Sequence, residues 1–261
     1  AIGASFLAAG GLPSLDILGK IVLAVVCART AAMAFNRWLD RDIDADNPRT
    51  RDRAIPAGAL SPAFVALATV VSLGGFVACA AWINPLALKL SPIVVVVLLG
   101  YSWTKRFTAL CHLVLGAALG LAPVGAWVAV RGSLAWEPWV LGVAVLLWTA
   151  GFDVLYACMD FEFDRGRGLH SIPARFGVRG ALRIAALLHG GMAIALLVLG
   201  VGGELGSFFL GAVGLVIALL IFEHRLVRPD DLSRVNRAFF TMNGVISVLL
   251  MLSMILTALR S

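Results

Sequence analysis

Charge is what this sequence has least of. Only 14% of its 261 residues are Asp, Glu, Lys or Arg, against roughly 25% in an ordinary soluble domain. Hydrophobic residues reach 61% and the mean hydropathy is +0.96. A soluble globular fold is thereby excluded, and the chain falls among polytopic membrane proteins. Cysteine is sparse and scattered. Cys27, Cys79, Cys111 and Cys158 stand singly in or beside apolar runs, with no CxxC and no Cys/His cluster. Neither a disulfide framework nor a zinc site is indicated, and the four serve as small apolar fillers. No strand-like alternation competes with the long apolar runs. The opening run Ile2 to Gly11 lacks a basic leader and is too short to span, so it is not a signal peptide. It is expected to be the end of a first helix whose beginning is missing from the sequence. The net charge of +6 would suit nucleic acid, but the basic residues are placed as membrane topology requires, and no nucleic-acid partner is expected.

Beyond Pro13, apolar runs fall at about 17–38, 61–83, 86–103, 108–130, 138–158, 182–203, 205–223 and 237–259. Each approaches or exceeds the ~20 residues needed to cross hydrocarbon. With the partial first helix, nine spans are expected. Pro13, Pro62, Pro85 and Pro138 stand at or near span edges, where proline does least harm. Sixteen of the 21 Lys and Arg lie in the loops around 37–60, 102–107, 159–183 and 224–237. Lys20, Lys89, Arg131 and Arg260 fall on the other side. The positive-inside rule then puts the charged loops in the cytoplasm and Ser261 outside. Trp82, Trp103, Trp136 and Trp139 lie near span ends as interfacial anchors.

Two stretches break the apolar pattern with acidic ladders. Asn36, Asp40 and Asp44 are spaced i, i+4, i+8 and share one helical face, with Arg29 two turns earlier. Asp153, Tyr156, Asp160 and Asp164 form a second stripe at i, i+3, i+7 and i+11. Each ladder closes an apolar helix and runs into an Arg-rich loop, followed by Ile55-Pro56-Ala57 in one case and Ile172-Pro173-Ala174 in the other. The chain is therefore expected to be one polytopic membrane domain over 1–261, made of two diverged halves at about 1–131 and 132–261. Solvation among headgroups accounts for Asp42, Asp46, Asp230 and Asp231. It does not account for the ladders, whose same-face carboxylates repel one another and sit at helix C-termini, where the dipole disfavours anions. Asp153 lies deepest, near Trp148 and Phe152, and needs a polar cavity.

Facing sets of carboxylate and amide oxygens, with no His or Cys beside them, suit a hard cation, and Mg²⁺ above Ca²⁺ if phosphate completes the shell. Lys105 and Arg106 in one short loop, with Arg49, Arg51, Arg53, Arg165 and Arg167 beside the motifs, supply the charge to hold phosphate oxygens. A diphosphate head on a greasy tail fits this end of a lipid-embedded bundle, and a polyprenyl diphosphate is such a molecule. Arg29, buried by sequence, is expected either to touch diphosphate or acceptor carboxylate, or to pair with a motif aspartate. Arg106 is a candidate for the acceptor carboxylate through its guanidinium fork, or else a headgroup anchor. His112 and His189 are expected to be packed or locally hydrogen-bonded.

Four stretches now carry a resemblance. They are Asn36-x-x-x-Asp40-Arg41-x-x-Asp44 with Arg49-Thr50-x-x-Arg53, Tyr101-Ser-x-Thr104-Lys105-Arg106-Phe-Thr, Asp153-x-x-Tyr156-Ala157-x-x-Asp160-x-x-x-Asp164, and Gly168-Leu-His-Ser-Ile-Pro-Ala-Arg-Phe-Gly177. In this order they resemble the UbiA superfamily of intramembrane prenyltransferases, and within it the bacterial 4-hydroxybenzoate polyprenyltransferase-like proteins. The resemblance implies an all-α integral membrane bundle of nine helices around a central cavity, in the bacterial inner membrane. It implies Mg²⁺ held by Asn36, Asp40 and Asp44 and by Asp160 and Asp164. Lys105 and the motif arginines Arg49 and Arg53 would neutralise diphosphate, and Asp153 and Tyr156 would orient or deprotonate an aromatic acid. That acceptor would be 4-hydroxybenzoate or a dihydroxynaphthoate, in ubiquinone or menaquinone biosynthesis. His170 stands where many ubiquinone-branch members carry lysine. The competing expectation is a secondary transporter using the paired acidic motifs as ion sites, although its sites should lie at the midplane and not at one end of the helices.

Overall fold

The computed structural model describes residues 1–232, 235 and 241–260, and among them it is helical, with an isolated Arg228–Asp231 bridge and no sheet. The helices are α1 (Ile2–Ala9), α2 (Leu15–Leu39), α3 (Arg41–Asp46), α4 (Pro62–Ile83), α5 (Pro85–Thr104), α6 (Cys111–Arg131), α7 (Trp136–Ala157), α8 (Phe161–Gly166), α9 (Ile172–Gly202), α10 (Gly206–Leu226) and α11 (Asn243–Ala258). Their starts follow from ordinary capping chemistry. Ser14, Ser61, Asn84 and Ser171 each accept a hydrogen bond from the backbone N–H three residues on, and Pro62, Pro85 and Pro173 stand in first turns, where no N–H is missed. Asn84 also donates to the Val128 carbonyl at 2.8 Å, tying the α4–α5 turn to α6.

Among the described residues, seven helices are long and apolar enough to cross a membrane: α2, α4, α5, α6, the unit running from α7 through α8, α9 and α10. The nine expected spans are thus met by seven of full length, with α1 at eight residues and α11 at 16 the shorter apolar helices. The expected run 237–259 is described as helix from Asn243 onward, and residues 236–240 lie outside the described residues. Near the start of α9, Gly177 adopts φ 70 and ψ 167, a conformation closed to residues with a Cβ, so the long helix bends there.

The largest buried cluster joins α1, α6, α7, α9, α10 and α11 through residues such as Ala4, Ala129, Leu141, Met192, Phe209 and Ile246. A smaller one, with Val154, Leu155, Cys158, Ile172 and Ala181, packs the end of α7 against α9 beneath the second acidic motif. The α6–α7 seam depends on missing side chains. A Cβ on Gly120 would stand 2.6 Å from the Gly142 carbonyl oxygen, and one on Gly142 would stand 2.7 Å from that of Gly120. One on Gly116 would strike the Leu146 carbonyl. Small residues one turn apart let two helix backbones touch, which is how helices associate where lipid offers no hydrophobic drive. Gly120→Ala is expected to cost about 1–3 kcal/mol of stability. Gly125→Ala, whose Cβ would meet nothing within 4 Å, is expected to cost nothing, and thermal unfolding in detergent compares the two.

Candidate functional site

Both acidic ladders are interrupted at their middle aspartate. Asp40 (φ −91, ψ 5) ends α2 and opens α3, and Asp160 (φ −99, ψ 7) closes a 3-10 turn, Cys158–Asp160, and opens α8. The expected continuous faces are therefore broken, although the Asp44 N–H still reaches the Asp40 carbonyl at 2.7 Å. The break also overturns the dipole expectation. Asp42 and Asp44 stand in the first turn of α3, and Glu162 and Asp164 in that of α8, where the dipole favours anions.

Asp40, Asp44 and Asp160 each have their own cation. Asp40, only 1% exposed, receives Lys105 Nζ at 2.6 Å and Asn36 Nδ2 at 3.1 Å on Oδ2, and Arg106 Nη2 at 2.9 Å on Oδ1. Arg53 Nη1 lies 2.6 Å from Asp44 Oδ1. Asp44 Oδ2 is buried with no hydrogen-bond partner, the Arg37 guanidinium standing 3.9 Å away. Arg49 grips Asp160 with a two-pronged fork, its Nε 2.7 Å from Oδ1, while its Nη1 donates to the Tyr156 hydroxyl at 2.9 Å and its plane covers the Tyr156 ring. Burial pulls the Arg49 pKa down, but the bonds and charge of Asp160 and Tyr156 outweigh it and leave it above the usual arginine value. Asn47 donates to Asp160 at 3.0 Å and Arg167 pairs with Asp46. Asp46 is therefore more than a solvated headgroup residue.

These contacts tie the motifs to each other. Arg49 and Asn47, from the connection after the first, hold an aspartate of the second, and Arg167, from beyond the second, pairs with Asp46 just past the first. The middle loop joins them through Lys105, whose carbonyl accepts the His170 N–H at 2.8 Å. Asp164 is half-buried beside this junction. Asp153 receives His112 Nδ1 at 2.7 Å. On the α4 side of Asp44 a cavity of about 470 Å³ is lined by Met33, Arg37, Arg53, Ile55 and Phe64.

Two arginines differ in their surroundings from what the sequence alone suggests. Arg29, expected buried, is exposed and pairs with no motif aspartate, because α2 is lightly covered, with only Ile21, Ala24, Ala31 and Ala32 buried. Arg106 spends its guanidinium on Asp40 and on the carbonyls of Leu39 and Ser102, at 3.1 Å each. It braces the helix break. Asn47, Arg37 and His112 were not singled out for the site by sequence. An Asn-Pro pair just after an acidic helix was the available hint for Asn47, whose Oδ1 accepts the Arg49 N–H at 2.9 Å and turns the chain. Among the described residues, no three of His, Cys, Asp or Glu converge into a metal-binding group. Internal cations occupy Asp40, Asp44 and Asp160 instead. The donor set nevertheless fits a hard cation, since it is all oxygen and includes the buried, unbonded Oδ2 of Asp44.

Known proteins resemble this chain in sequence and in fold. The profile of the UbiA prenyltransferase family matches residues 1–245. The 4-hydroxybenzoate octaprenyltransferase of Vibrio campbellii is 32% identical over 94% of this chain and 86% of its own. That of Aeromonas hydrophila is 34% identical over 93% and 84%. Among solved structures, a UbiA homolog from Aeropyrum pernix K1 superposes with a TM-score of 0.87 at 32% identity, covering 98% of this chain and 96% of that one. A UbiA homolog from Archaeoglobus fulgidus, bound to DMAPP and Mg²⁺, shares the fold with a TM-score of 0.76 at 20% identity, over 98% and 93%. The two acidic motifs, the Lys-Arg loop between them and the helical membrane bundle that carries them thus have one setting, and the chain belongs to the UbiA prenyltransferase family of multi-pass membrane enzymes.

Proposed function

We propose that this protein transfers a polyprenyl group from its diphosphate to an aromatic acid, 4-hydroxybenzoate or a dihydroxynaphthoate, in ubiquinone or menaquinone biosynthesis, with Mg²⁺. The observation that carries the reading is the cation-capped pair of aspartate motifs, bridged by Arg49. The names of the Vibrio and Aeromonas relatives and the Mg²⁺–DMAPP complex of the Archaeoglobus homolog support it. A transporter reading loses its basis with membership in an enzyme family. In this proposal α1 and α11 complete nine crossings, the halves at about 1–131 and 132–261 contribute one motif each, the charged loops are cytoplasmic and the C-terminus is outside.

Asn36, Asp40 and Asp44 on one side, and Asp160 and Asp164 on the other, would hold the metal. Divalent metal supplies Lewis-acid charge to diphosphate oxygens and so eases departure of the leaving group. The chain's own residues do the rest. Lys105, Arg49 and Arg53 reach phosphate oxygens from the loops that already surround the aspartates. The C1–O bond breaks with its electron pair going to diphosphate, and the apolar bundle keeps water from the allylic cation. The acceptor ring attacks C1 from the carbon ortho to its hydroxyl. Asp153, with Tyr156 one turn on, orients that hydroxyl and takes up the ring proton. Arg29, exposed and without a motif partner, pairs with the acceptor carboxylate.

Asp40→Ala and Asp160→Ala should each lower Mg²⁺-dependent transfer at least 100-fold, an effect of about the size seen when a transition-state charge stabiliser is lost. Both variants should still insert in membranes, as a radiolabelled prenyl-transfer assay on washed membranes with a panel of aromatic acids would record. Retained activity in either removes the two-motif assignment. Arg49→Ala should speed amide exchange across residues 48–58 by about tenfold, because a charge-assisted bond worth roughly 1.5–3 kcal/mol is lost. Unchanged exchange would mean that Arg49 does not hold this loop.

A further inference from the structure

We infer that His112 is a positioning residue for Asp153, holding one carboxylate oxygen so that the other faces the aromatic acceptor. The inference rests on the prenyltransferase reading above. His112 is 3% exposed, at the start of α6. Its Nδ1 lies 2.7 Å from Asp153 Oδ2, and its Nε2 lies 3.2 Å from the backbone nitrogen of Ile172, the first residue of α9.

Those two contacts fix the proton. A backbone N–H can only donate, and the first N–H groups of a helix have no partner within it. Nε2 must therefore accept from Ile172, and the single ring proton of a neutral imidazole sits on Nδ1, aimed at Asp153. An imidazolium would set a second N–H against that of Ile172. His112 thus offers Asp153 one directed hydrogen bond, and the carboxylate, whose side chain is 29% exposed, keeps Oδ1 for a ligand.

The fold places the pair deliberately close. Gly116, one turn after His112, abuts the Leu146 carbonyl, and the Gly120–Gly142 contact continues the same seam, so the α6 backbone carries His112 against the face of α7 that bears Asp153. The neighbouring contacts run the same way. Cys111 Sγ donates to the His170 carbonyl at 3.4 Å, and the His170 N–H bonds to the Lys105 carbonyl. One short stretch therefore registers Asp153 against the loop of Lys105, the acceptor side against the diphosphate side.

The test uses the full chain reconstituted in bilayers, with His112→Leu, His112→Gln, Asp153→Asn and the double variant His112→Leu/Asp153→Asn. His112→Leu should lower kcat by about 10–100-fold, the loss typical when a group orienting a reactive ligand is removed, with KM for prenyl diphosphate unchanged. His112→Gln, whose amide donates to Asp153 while its oxygen accepts from Ile172, should recover most of that loss. In the Asp153→Asn background, His112→Leu should add no further loss. Wild-type kcat in His112→Leu overturns the inference, and so does a Gln variant no better than Leu with multiplicative losses. Nitrogen NMR of ¹⁵N-histidine-labelled protein separates this from failure of the function itself. Should wild type prenylate no acceptor in the panel, the functional reading falls. A signal for protonated Nδ1 that disappears in His112→Gln and shifts in Asp153→Asn would still uphold the pairing, whereas protonated Nε2 would overturn it.

Discussion

A carboxylate that water barely reaches must have a positive partner. Asp40 and Asp44 are 1% and 4% exposed, and an uncompensated charge at such depth costs several kcal/mol. The chain meets that cost with its own cations, Lys105 and Arg106 on Asp40 and Arg53 on Asp44. Because Lys105 and Arg106 come from the loop after α5, the same ion pairs that make Asp40 tolerable also hold the ends of α2 and α5 together. Arg49 extends the arrangement to Asp160. Breaking one of these pairs leaves its partner charge stranded, so the site and the fold at this end of the bundle stand or fall together.

The resting pairs also suggest how the site would accept its donor. A divalent metal with a diphosphate brings both signs of charge at once, positive for the carboxylates and negative for Lys105, Arg49 and Arg53. Each internal pair can then be exchanged for an external one without leaving a bare charge in a low-dielectric place. The unbonded Oδ2 of Asp44 marks where such an exchange meets least resistance. Metal alone or diphosphate alone would satisfy one side and strand the other.

Most of the helical architecture was readable in the sequence, because apolar runs bounded by Ser, Asn and Pro caps have few alternatives. The run at 61–83 became Pro62–Ile83, and that at 86–103 became Pro85–Thr104. The breaks at Asp40 and Asp160 were not readable, since a single residue leaving helical geometry does not disturb the 3.6-residue spacing that reveals the ladders. Burial was misjudged at Arg29 because lying inside an apolar run means lying inside the membrane, not beneath other helices. The bonds of Arg106 to the carbonyls of Leu39 and Ser102 were not readable, because a guanidinium looks free in a sequence. His112 acts across a distance in sequence that no local pattern encodes, and the Asn-Pro pair hints at the turn Asn47 makes but not at its bond to Asp160. The residue types that gather at this end of the bundle were legible in the sequence; their wiring was not.

Metal binding with and without diphosphate tests the exchange most directly. Mn²⁺, counted by electron paramagnetic resonance, can be titrated into the reconstituted protein alone and then with the inert donor analogue geranyl S-thiolodiphosphate. If internal cations guard the aspartates, Mn²⁺ should bind weakly by itself and at least about 100-fold more tightly with the analogue, and by linkage the analogue should gain the same factor from Mn²⁺. Tight, stoichiometric Mn²⁺ binding in the absence of any diphosphate, unchanged when the analogue is added, would contradict the account.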